Sequence, residues 1–348
     1  MKRILSCLTV FFFLWNIFLP GSVHAQNQDP IRATITELSN GNIVVEISEG
    51  DRAGQELQVL QFDEKQIENQ GLHKGDQVLV NFIEGPGGRE QVIIVDQFRL
   101  WPLAALFFLF LGVVVVIGRR KGFFSFLGMA FSFLIIAQMI VPQILLGNNP
   151  ILISLVASLL VIPITFYISH GIKRKTTIAV ISTFLALVFT AILAVVFVNL
   201  AKLTGYSAEE ATFITAQQGD TINIQALLLA GIIIGAMGVL DDITISQTSI
   251  VSKLKKANPK FSRWELFRES MDVGHDHIAS LVNTLVLVYV GASLPLFVLF
   301  SSSQFGTLSD VMNMEIVATE IVRTLVSSIG IVSAVPLTTL LAVWYIKD

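Results

Sequence analysis

The residues best suited to chemistry lie in two short stretches. The first is Gly231-Ile-Ile-Ile-Gly235-Ala-Met-Gly238-Val-Leu-Asp241-Asp242. At about 100° per residue, Gly231, Gly235, Gly238 and Asp242 share one narrow helical face. Ser246 and Ser249 join that face if the helix continues. Small residues at this spacing let a second backbone approach closely, so the three glycines read as a helix-packing face. The two acids are harder to place. A carboxylate near a helix C-terminus is opposed by the macrodipole, and near lipid it is costly. Asp241 and Asp242 therefore call for a cation, a histidine, a lysine or water.

The second stretch is Asp272-Val-Gly-His275-Asp276-His277, followed by Ser280 and Asn283. On a helix Asp272, Asp276 and Asn283 fall on one face, His275 and Ser280 flank it, and His277 points elsewhere. A polar stripe entering an apolar helix is expected to face a bundle interior or a wet cavity. Three chemistries fit. The stripe could bind a divalent metal together with Asp241 or Asp242. It could relay protons, because histidine titrates near neutrality. It could also be a hydrogen-bond network locking two helices together. His275 and His277 are two apart and diverge on a helix, which weakens the metal reading.

The elements that must hold these residues are membrane helices. Of 348 residues, 53% are hydrophobic and 14% charged, and the mean hydropathy is +0.71. Soluble chains carry about a quarter charged residues, so a water-soluble enzyme is excluded. A formal net charge of −3 gives no basic field for nucleic acid. A span needs about 20 apolar residues. Seven candidates follow: 100–118, 122–144, 150–170, 176–201, 222–241, 277–300 and 322–346. Arg119 to Lys121, Lys173 to Lys175 and the bases from Lys253 to Arg268 fall on one side, and the intervening loops are nearly free of base. The basic side is expected to be cytoplasmic, with the C-terminus inside.

The N-terminus reads as a signal peptide over 1–25, or as an uncleaved anchor. Lys2 and Arg3 precede an apolar run, and Val23-His24-Ala25 suits cleavage. Cys7, the single cysteine, lies in this segment, so no disulfide or thiolate site is expected beyond it. Residues 26–98 alternate in short runs at 31–35, 43–47, 57–60, 78–80 and 92–95, separated by turn signals such as Lys74-Gly75-Asp76. That pattern predicts a small antiparallel sheet or barrel outside the cytoplasm. It offers no nucleophile, no acid pair at useful spacing and no Cys/His cluster, so it reads as a binding or structural module for an envelope partner. The expected fold class is thus a polytopic α-helical membrane protein, with a small all-β extracytoplasmic domain at 26–98 and seven helices over 99–348.

Smaller signals complete the reading. Ser262-x-x-Glu265 is a capping box, flanked by Phe261 and Leu266 at staple positions, so a helix should start near Arg263. Glu320 and Arg323 read as an interfacial pair. Pro163, Pro295 and Pro336 interrupt apolar spans and free backbone carbonyls. Walker A, HExxH and GxSxG patterns are absent, so no cofactor and no enzyme is expected, with an intramembrane enzyme as the alternative, and a bound cation suits the acids.

The stretches 231–249 and 274–295, the latter with Asn283-Thr-Leu and Gly291-Ala-Ser-Leu-Pro295, resemble the YibE/F-like family of bacterial multi-pass membrane proteins. Lys74-Gly-Asp-x-Val78 and Asp96-x-Phe-Arg99 are similar to that family's extracytoplasmic segment, so the likeness spans most of 30–346. His275 stands where the family commonly has arginine. The resemblance implies a plasma-membrane location and names no substrate. Two functions are expected to compete. One is transporter-like, with proton- or cation-coupled movement of a small solute through a polar site between the fifth and sixth helices. The other is a non-transporting envelope scaffold, assembly factor or sensor, alone or in a homo- or hetero-oligomer.

Overall fold

The computed structural model describes residues 30–39, 42–59, 71–84, 90–300 and 306–346. The expected signal peptide at 1–25 lies outside the described residues. The rest divides into two compact units, with the boundary between Val116 and Ile117. It falls inside a helix rather than at the composition change near residue 98, because the last strand runs almost directly into that helix.

The first unit begins with β1 (Ile31–Ser39), β2 (Asn42–Ile47), β3 (Glu56–Gln58), β4 (Gln77–Glu84) and β5 (Glu90–Gln97). They form one antiparallel sheet in the order β3-β2-β1-β4-β5. Each expected apolar run lies in or at the end of one of these strands. Period-2 alternation turns Ala33, Ile35, Ile43, Val45, Val78 and Val80 onto one buried face. Register shifts between Ile35 and Glu37 and between Leu79 and Val80 bend the strands. Val59, just past β3, bridges to Val92 of β5, so the two edge strands are drawn together toward barrel closure. Arg52 clasps Glu90 through bonds of 2.8 and 3.1 Å and lies over the Phe82 ring at 4.4 Å.

Among the described residues, six helices are long and apolar enough to cross a membrane. The first is a run of 46 residues, Leu100–Leu145, built from α1 (Leu100–Ile135), a π-turn (Ile136–Ile140) and α2 (Val141–Leu145). A helix of that length would rise about 69 Å, roughly twice the hydrocarbon thickness. Its geometry breaks at Arg119, with φ 50° and ψ −138°. The two spans expected at 100–118 and 122–144 lie on either side of that break, which is why seven sequence candidates become six helices.

The second unit continues with α3 (Pro150–His170), α4 (Arg174–Leu200), the short α5 (Glu209–Gln218) and α6 (Ile224–Ala257). Then follow α7 (Arg263–Ala292), α8 (Leu294–Phe300), α9 (Leu308–Asn313) and α10 (Glu315–Tyr345). Pro163 and Pro336 lie within continuous helices, while Pro295 opens α8 after a turn at Ser293. The capping box forms as expected: Ser262 N donates to Glu265 at 2.8 Å, and Glu265 N donates to Ser262 Oγ at 3.2 Å. Leu266 and Phe261 pack into one cluster beside it.

Helices α4, α6 and α10 pack against one another at the centre, with α3 against α4 and α6, and α7 against α6 and α10. Their shared faces carry small and hydroxyl residues: Ala179, Thr183 and Thr190 of α4, Ala236 and Thr244 of α6, Ala334 and Thr339 of α10. Between membrane helices such residues allow close backbone approach and interhelical hydrogen bonds. Thr183 and Thr244 share one such bond, 2.6 Å between hydroxyls.

Candidate functional site

The site begins with the length of α6. The helix does not end near Asp241 but runs to Ala257, because no breaker intervenes before Asn258-Pro259. Asp241 and Asp242 are therefore mid-helix residues, and Ser246 and Ser249 do continue the face. Asp241 is half-buried, and its Oδ1 is enclosed without a hydrogen-bond partner among the described residues. Asp242, one position on, is not covered by the chain. It lies within electrostatic range of two histidines, His170 at the end of α3 and His277 on α7.

The glycine face behaves differently from expectation. A Cβ placed on Gly231, Gly235 or Gly238 would meet nothing within 4 Å. No described part of this chain approaches there, so the three glycines pack against no helix within the chain. These glycines lie on an exposed face of α6, which Asp242 continues. Close approach occurs elsewhere. A Cβ on Gly330 of α10 would run into Thr190, and one on Gly274 of α7 would sit 2.8 Å from Val335 and 3.2 Å from Gln247 Nε2.

Gly274 also explains the orientation of α7. Leu266, Ser270, Gly274 and Leu285 face the bundle. That turns Asp272, His275, Asp276, Ser280 and Asn283 to the opposite side, where the chain leaves them uncovered. The expected inward stripe is therefore an outward one. The small residues at 270 and 274 fit the crowded contact with Gln247 and Val335, and the longer polar side chains do not. His277 lies toward the covered side and is half-buried. Of the two polar stretches, the fold thus puts Asp242 within electrostatic range of His277 and of His170, and leaves Asp272, Asp276 and Asn283 on the uncovered side of α7. Among the described residues no three His, Cys, Asp or Glu side chains converge as a metal ion would require.

A buried amide sits deeper on α6. Gln247 Nε2 donates to the Ser270 carbonyl at 2.9 Å and to Thr339 Oγ1 at 2.7 Å, tying α6, α7 and α10 together. Thr339 in turn donates to the Val335 carbonyl at 2.8 Å. Gln247 Oε1 and Ser270 Oγ are enclosed without partners among the described residues. Sequence reasoning passed over Gln247 and His170. A fully apolar helix face interrupted by one amide would have pointed to Gln247; nothing local marked His170.

Elsewhere, Glu320 and Arg323 pair at 2.9 Å as expected. At the bundle end away from the basic loops, Glu315 accepts from Thr204 N at 2.6 Å, Gly205 N at 2.8 Å and Thr204 Oγ1 at 2.9 Å. Gly205, at φ +84°, could not carry a side chain there, because a Cβ would sit 2.9 Å from the Ile224 carbonyl oxygen.

Searches of curated proteins and of solved structures return no match. A family profile described as YibE/F-like protein matches residues 106–348. The match starts inside α1, so the β-sheet and the resemblance read at Lys74 to Val78 and Asp96 to Arg99 lie outside it. It contains every residue of the acid–histidine cluster and of the Gln247 node, and it covers well over half of the chain. The protein belongs to the YibE/F-like family.

Proposed function

We propose that the chain is a transporter-like protein of the bacterial plasma membrane that moves protons or cations, coupled to a small solute, past the polar site of α6 and α7. In this reading α1 crosses twice, once on each side of Arg119, giving seven crossings. The basic loops face the cytoplasm and the β-sheet lies outside it. One observation carries the proposal: Asp241 keeps an enclosed oxygen with no partner among the described residues, and Asp242 beside it lies within electrostatic range of His170 and His277 on the exposed glycine face of α6. Ionisable residues inside a membrane helix mark ion or proton paths. A carboxylate pair flanked by imidazoles can accept a proton, pass it on and be reset. No solute is assigned.

Reconstituted full-length protein under an imposed proton gradient, with an entrapped pH dye, tests this. The wild type is expected to carry protons and Asp242→Asn to lose the flux at normal membrane abundance. Equal leak from wild type, variant and empty liposomes would reject it.

The scaffold reading has one observation of its own. The uncovered face of α7 bearing Asp272, Asp276 and Asn283 suits a protein partner better than lipid. Loss of oligomeric or partner contacts in Asp276→Leu, with flux absent from the wild type, would favour it.

A further inference from the structure

The loops α3–α4 and α6–α7 converge on a pocket of about 740 Å³. Six bases line it: Lys173, Arg174 and Lys175 from the N-cap and first turn of α4, and Lys253, Lys255 and Lys256 from α6. Two hydroxyls, Ser249 and Ser252, line it as well, and no Asp or Glu does. Lys175 Nζ of α4 reaches across to donate to Ser249 Oγ of α6 at 3.1 Å, so the two helices are joined beside the pocket. Lys255 is engaged with the Pro259 carbonyl at 2.8 Å. The pocket also holds the N-terminus of α4, whose N-cap, Lys173, supplies no side-chain acceptor. Like charges so concentrated repel one another, and an anion with several oxygens relieves the repulsion.

A second pocket of about 570 Å³ adjoins it and shares Lys173 and Arg174. Apart from those bases and Thr177 it is lined by Ile172, Ile178, Ile181, Leu341 and Tyr345, along the seam of α4 and α10. A basic, hydroxyl-bearing cup continuous with an apolar seam on a membrane helix has the polarity profile of a phospholipid.

We propose that these two pockets form one binding site for an anionic phospholipid, with its phosphate among Arg174, Lys253, Lys256 and Ser252 and an acyl chain along Ile178, Ile181 and Leu341. The site is separate from Asp242 and does not rest on the transport reading. Basic pockets between helices recognise acidic headgroups by this chemistry. A free phosphate shares the headgroup chemistry but has no use for the apolar seam.

Native mass spectrometry of the full-length protein in detergent tests the assignment, with phosphatidylglycerol, phosphatidylcholine and inorganic phosphate as probes. The wild type is expected to retain phosphatidylglycerol over phosphatidylcholine. The double variant Lys253→Gln/Lys256→Gln should lower that retention by about tenfold. A control with the same charge loss outside the pocket, Lys260→Gln/Arg268→Gln, should keep it. Ile181→Ser, on the seam, should weaken both lipids. Equal retention of the two lipids by the wild type, or equal loss in the two double variants, would overturn the proposal. Displacement of the lipid by millimolar inorganic phosphate, with Ile181→Ser unaffected, would reassign the pocket to a soluble anion.

Discussion

Gly330 of α10 lies against Thr190 of α4 so closely that a methyl group on the glycine would come within 3.0 Å of the threonine Cβ. The chain depends on glycine here, and not at the glycines of α6. Gly330→Ala is expected to destabilise the bundle by about 1–3 kcal/mol through overpacking. Gly235→Ala, in open space, should be neutral or stabilising by up to about 1 kcal/mol from helix propensity. Thermal aggregation midpoints in detergent distinguish the two. A larger loss at Gly235 than at Gly330 would mean that a further helix covers this face of α6.

Glu315 gathers two backbone N–H groups and a hydroxyl from the loop that follows α4. Glu315→Ala leaves those donors unmatched and should cost about 1–3 kcal/mol. Glu315→Gln keeps one acceptor oxygen and should cost less. Hydrogen exchange at Thr204 and Gly205 reads the effect locally, and unchanged protection in the alanine variant would contradict it.

Asp310 caps α9 by accepting from Thr307 N and Thr307 Oγ1, at 2.8 and 2.7 Å. These bonds hold its carboxyl below the usual aspartate range. A depressed folded-state pKa contributes stability that is present above the unfolded value and lost as pH falls through the folded one. The 307–310 turn should therefore lose amide protection on acidification below the ordinary aspartate range. Asp310→Asn should remove that pH dependence. A turn that loosens as pH rises would show the sign to be wrong.

His277 and His170, on two different helices, both lie within electrostatic range of Asp242. If they serve one proton path, His277→Gln and His170→Gln should each slow dye-reported flux at unchanged abundance. His275→Gln, on the outer face of α7, should not. Equal slowing by all three would point to a general structural effect.

Much of this was legible in order along the chain, because it depends on local rules. Runs of apolar residues mark helices wherever they occur, strand alternation needs only neighbours two apart, and the Ser262–Glu265 cap closes within one turn. Hydropathy also located two spans before and after Arg119, although it could not tell that the helices would merge into one run. The family-bearing stretches were readable for the same reason, since they are contiguous.

Which face of a helix turns inward was decided elsewhere. Periodicity groups Asp272, Asp276 and Asn283 on one side of α7, but it is silent on what stands opposite. The choice came from volume: Gly274 is the residue that fits between Val335 and Gln247, and seating it sends the acids outward and His277 toward the covered side. The same logic separates Gly330, pressed on Thr190, from Gly235, pressed on nothing. Composition and period thus determined that the chain spans a membrane and where its helices and strands run. Only packing between distant segments decided which polar groups meet, because contact depends on the shapes of both partners and a linear sequence displays one at a time.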